Sequence, residues 1–173
     1  RTFEQKNMGG IYDQDIWYSR QKSGEWTFPI ALQALNNKLN NAVVGQFNDP
    51  SDSTQERLYL ISAYVTERDF EKGINIATRK RTDTTWSVKG KLPIPGLDID
   101  GKYVGYYMSQ DQNVVIISYE GSDSEGEEDL YVSIKDEEGW SEPENLGSTI
   151  NSEGFEISPF LSKNNDTLYF SSD

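Results

Sequence analysis

Three tryptophans, Trp26, Trp86 and Trp140, constrain this chain most, because each stands in the same local sequence. Each is followed six residues later by a leucine: Leu32, Leu92 and Leu146. Each is preceded ten or twelve residues earlier by an apolar, strand-like start: Ile16-Trp17-Tyr18, Ile74-Asn75-Ile76 and Leu130-Tyr131-Val132. The tryptophans stand 60 and 54 residues apart, so one structural unit is written three times. A unit of this size cannot bury its apolar face alone and must stack on its neighbours.

The repeat extends beyond the leucine. Tyr106-Tyr107-Met108-Ser109 leads through a short polar turn into Val114-Val115-Ile116-Ile117-Ser118, and Pro159-Phe160-Leu161-Ser162 leads the same way into Thr167-Leu168-Tyr169-Phe170-Ser171. The earliest copy is looser: Val43-Val44-Gly45-Gln46-Phe47, a loop from Asn48 to Arg57, then Leu58-Tyr59-Leu60-Ile61-Ser62. Each unit therefore reads as four short strands, with the tryptophan opening the fourth. Several short strands repeated at a period of roughly 40–50 residues or a little more indicate an all-β chain of β-propeller blades. The expected order is a half blade over 1–41, blades over 42–92 and 103–146, and a half blade over 156–173. That is about three blade-equivalents, fewer than the four to eight of a closed ring. The expectation is a piece of one larger propeller domain, of six or more blades. Its remaining blades would come from the same or another chain, and sharing of blades between two chains is the alternative. The last strand, Leu168–Ser172, should then present an open edge, and such edges are prone to association. Tyr107, Ile116, Tyr131, Phe160 and Tyr169 are the expected core.

Composition narrows the function. The net charge of −13 disfavours nucleic acid, which is bound by neutralising phosphates with Lys and Arg, and anionic membrane surfaces equally. The chain has no cysteine and no histidine, which removes thiolate sites, disulfides and the commonest general base. No apolar run approaches the roughly 20 residues of a spanning helix, and no signal peptide is visible. Arg1 in place of an initiator methionine suggests a processed or trimmed end.

The stretch from Glu128 to Asp173 carries a family look. Glu128-Asp129-Leu130-Tyr131-Val132-Ser133 is followed by Gly139-Trp140-Ser141-Glu142-Pro143-Glu144-Asn145-Leu146-Gly147, then Ser158-Pro159-Phe160-Leu161-Ser162 and Thr167-Leu168-Tyr169-Phe170-Ser171-Ser172-Asp173. This resembles the WD-like β-propeller repeats of the TolB type. Asp15-Ile16-Trp17-Tyr18-Ser19-Arg20 with Trp26 and Pro29 repeats half of it, while residues 42–92 match in pattern alone. The family's usual Ser-Pro-Asp-Gly-like turn reads Ser162-Lys163-Asn164-Asn165 and Ser109-Gln110-Asp111-Gln112 here, and Lys89 stands where other units have Pro29 and Pro143. The resemblance implies a periplasmic or outer-membrane-associated propeller that binds proteins, with no catalytic motif to carry over.

Single residues fit that frame. One tryptophan per unit at a fixed place reads as packing rather than as a ligand platform. Asp15 and Asp129 read as carboxylates that bind nearby backbone amides. The segment Glu120–Glu144 holds eleven acidic residues against one base, Lys135. Calcium favours closely spaced oxygens, but this spacing does not match an EF-hand loop, and a solvated acidic loop is favoured over a metal site. No cofactor is expected. On the strand assignment, the loops at one end of the sheets carry −8 of the net −13. Asp98, Asp100, Glu120, Asp123, Glu125, Glu127, Glu128 and Glu153 form the candidate partner-binding face, for a basic protein partner. Arg79-Lys80-Arg81 falls on the opposite end. No Gly-x-Ser-x-Gly elbow, phosphate loop or dinucleotide fingerprint occurs. The function expected is a non-catalytic protein–protein interaction scaffold of the bacterial cell envelope. The alternative is a carbohydrate-binding or glycoside- or peptide-hydrolysing propeller with its site in a central channel.

Overall fold

The structure is a computed structural model that describes residues 14–37, 39–63, 71–97, 99 and 103–173. Those residues form fourteen β-strands, all pairings are antiparallel, and no helix occurs among them. The chain divides into two compact units, Arg1–Lys91 and Leu92–Asp173.

In the first unit β1 (Trp17–Tyr18) pairs with β4 (Ile30–Ala31), and β2 (Gln21–Lys22) pairs with β3 (Glu25–Trp26). Two residues, Ser23 and Gly24, close the β2–β3 hairpin, both with positive φ, 50° and 88°. That is the twist a two-residue hairpin loop needs, and glycine adopts it without steric cost. β5 (Asn40–Asn48), β6 (Gln55–Ala63), β7 (Glu71–Lys80) and β8 (Ser87–Lys91) then form a four-stranded meander in chain order. The strands run further than the apolar residues suggested. The β5–β6 loop shrinks to residues 49–54, where Asp49 Oδ1 accepts from Ser51 N at 2.9 Å and Asp52 Oδ1 from Thr54 N at 2.9 Å. The unit's core is Ile16, Leu35, Leu58, Leu60, Ala77 and Trp86, with Leu32 packed against it.

The second unit repeats the plan. β9 (Val104–Met108), β10 (Val114–Tyr119), β11 (Asp129–Ile134) and β12 (Glu144–Asn145) form a second four-stranded meander, and β13 (Glu156–Leu161) pairs with β14 (Leu168–Ser172). The near-continuous apolar run of β10 is buried, as a strand covered on both faces requires. The β9–β10 and β13–β14 turns place Gln112 and Asn165 in left-handed backbone, at φ 60° and 58°. Asn165 suits that position better than Gln112 does. In both turns the serine hydroxyl, of Ser109 or Ser162, accepts hydrogen bonds from amides four and five residues on. The core joins Ile116, Leu130 and Leu161 to Tyr107, Val114, Val132, Leu146, Ile150 and Leu168.

The three tryptophans are equivalent by register. Trp26 lies opposite Gln21 while Ala31, five residues on, lies opposite Trp17; Trp140 lies opposite Lys135 while Asn145 lies opposite Tyr131. In the middle copy Lys91, five residues after Trp86, lies opposite Asn75. The leucine amide that follows closes the same bond in two copies: Leu32 N to Ile16 O at 2.9 Å and Leu146 N to Leu130 O at 3.0 Å.

Burial corrects part of the expected core. Ile116 and Tyr131 are buried and Tyr107 is half-buried, but Phe160 and Tyr169 are 52% and 60% exposed. The β13–β14 hairpin packs on its unit through Leu161 and Leu168, and a β-strand turns adjacent side chains to opposite faces. Phe160 keeps an edge-on contact with the Tyr107 ring, centroids 5.1 Å apart, but the rest of its ring and that of Tyr169 face solvent. The tryptophans diverge too. Trp86 is 5% exposed inside the first core, Trp140 is half-buried and Trp26 is 71% exposed.

Candidate functional site

Five of the expected acidic residues, Glu120, Asp123, Glu125, Glu127 and Glu128, lie in the loop between β10 and β11, and Glu153 lies in the turn before β13. The two segments are joined by backbone: Glu127 N donates to Gly154 O at 2.8 Å and Glu156 N to Glu128 O at 2.6 Å. Their approach is close enough to require glycine at Gly126. A Cβ there would lie 2.3 Å from Gly154 O and 2.6 Å from Glu153 O. Asp98 and Asp100 lie outside the described residues.

The loop is pinned from beneath. Asp129, fully buried, accepts from Glu125 N at 2.8 Å, from Gly126 N at 3.4 Å and from Asn145 Nδ2 at 2.8 Å. That is the amide-binding role read for it from sequence. Tyr131 donates to Asp123 Oδ1 at 2.8 Å, meets Ser124 Oγ at 3.0 Å, and stacks on Tyr119 with centroids 4.1 Å apart. The result is a fixed backbone that holds Glu120, Asp123, Glu125 and Glu127 in solvent, with Glu153 exposed beside them. Glu128 is half-buried, and burial, with the charges of Glu127 and Glu120 adding, pushes its carboxyl up.

Beneath lies a polar core that the sequence reading did not single out. Asn151 accepts from Leu130 N at 2.9 Å and donates to Leu130 O at 3.2 Å, so one amide completes both backbone groups of that residue. Asn36 does the same for Ile16, at 2.8 and 3.2 Å. The recurring Leu35-Asn36 and Ile150-Asn151 pairs, shortly after the repeat leucines, were the available signal. Glu156 is fully buried, and its carboxylate accepts from Ser152 N (3.0 Å), Ser152 Oγ (2.7 Å) and Ser172 Oγ (2.7 Å). Burial pushes that carboxyl up, but these hydrogen bonds outweigh it and hold it below the usual carboxylate range.

At the other end of the first unit's meander the basic run is largely answered. Arg79 pairs with Glu56 at 2.6 Å and lies over the Trp86 ring, 4.6 Å from its centroid. Arg81 reaches the same carboxylate at 3.4 Å. The acidic loop is therefore the less neutralised of the two charged features.

Among the described residues, no three acidic side chains converge in a group that could hold a metal ion. The chemistry on offer is electrostatic: exposed carboxylates on a backbone held by hydrogen bonds to Asp129 and Gly154.

Acid should weaken the fold. Hydrogen bonds from Thr54 and Gln55 pull Asp52 down to about 2, and those from Ser109 and from Ser162 lower Asp111 and Asp166. Asp49 is raised by burial but lowered more by Ser51 and Arg57. A carboxyl with a lowered folded pKa stabilises fully above its unfolded value and loses that stabilisation as pH falls through the folded one. The urea midpoint should hold from neutral to about pH 5 and drop between about pH 4 and 2. Glu128 has the opposite sign, so Glu128→Gln should raise the midpoint at pH 7 and leave it unchanged at pH 3. An increase at both pH values would place the gain elsewhere than in the carboxylate's charge.

Compared with known proteins, the chain matches no family model, no curated protein and no solved structure.

Proposed function

We propose that the four-stranded meanders are blades of a β-propeller and that the chain is a non-catalytic protein-binding scaffold of the bacterial cell envelope, with its acidic loops facing a basic partner. The blade reading is supported by the shared register around Trp26, Trp86 and Trp140 and by the two meanders in chain order. The envelope setting comes from the resemblance to TolB-type repeats. The observation that carries the binding reading is the pinned loop. Glu120, Asp123, Glu125 and Glu127 stay exposed while Asp129, Asn145 and Tyr131 fix the backbone under them. A rigid surface of one sign steers an oppositely charged partner and presents it with no ordering cost.

The test uses a Lys/Arg-rich peptide as probe, with association rates read by surface plasmon resonance over a salt series. The rate should fall with salt, since charges are screened beyond about 8 Å at physiological ionic strength. Replacing Glu125, Glu127 and Glu128 by Gln should slow association several-fold with no loss of folding stability, because rim charges act mainly on the on-rate. Equal rates for wild type and triple variant across the series would mean the loops are merely solvated. Calorimetry with calcium separates the other explanation: tight binding of the metal would replace the partner by a cation.

A further inference from the structure

We draw no further inference here: the strongest candidate, the cleft between β1 and the first meander lined by Trp17, Arg20, Gln46, Arg79 and Trp86, borders a strand whose counterpart β11 is paired with β10, and nothing in the structure shows what covers the cleft where β1 has no such neighbour among the described residues.

Discussion

Glu156→Ala should unfold the second unit more readily by about 3–4 kcal/mol, among the largest effects of any single change in this chain. The carboxylate is fully buried and accepts three hydrogen bonds, from Ser152 N, Ser152 Oγ and Ser172 Oγ. Bonds to a charged acceptor are worth about 1.5–3 kcal/mol each, and truncation also leaves the Ser152 amide without its acceptor. Part of the loss returns, because the mutant no longer buries a charge. Glu156→Gln isolates the charge from the shape. The serine hydroxyls can rotate to accept from the new amide, so the loss should fall to about 1–2 kcal/mol. Urea titration reads both, with the midpoint moving and the slope unchanged. A loss below about 1 kcal/mol for the alanine variant would mean that water replaces the carboxylate and that the site is not sealed.

That carboxylate also shows where sequence reading stops. The repeat spacing around the tryptophans anticipated the third- and fourth-strand pairing closely, because register follows from where apolar residues must face inward. Asp129 was legible as an amide-binding acid because it sits at the mouth of an apolar run. Glu156 was not, because nothing local distinguishes it from the exposed Glu153 three residues earlier. Its burial depends on Ser172, 16 residues on, and on the second-strand residue Ser118, which donates to its carbonyl at 2.6 Å. The acidic loop was placed correctly on the chain, but the way its backbone is held was not foreseeable. That depends on Asn145 and on Gly154, contacts that span two different loops. Phe160 and Tyr169 were assigned to the core from pattern alone. Pattern tells which face a side chain takes, and only the neighbouring sheet decides whether that face is covered.

The tryptophans turn the same distinction into a measurement. Trp86 lies 5% exposed among Ile16, Leu58, Leu60 and Ala77, with Arg79 over its ring. Trp26 holds the equivalent register position but is 71% exposed. Trp86→Ala should therefore cost the first unit about 3–5 kcal/mol, the range for emptying a large aromatic from a packed core. The stacked guanidinium adds to that loss, since Arg79 would keep Glu56 but lose the ring. Trp86→Phe keeps most of the volume and should cost less than half as much. Trp26→Ala should stay within about 0.5 kcal/mol, as exposed substitutions do. Denaturant midpoints, with tryptophan fluorescence as a second probe, read all three. Comparable losses at Trp26 and Trp86 would show that Trp26 is covered in solution, and a small loss at Trp86 would remove the tryptophan from the packing role that the repeat assigns it.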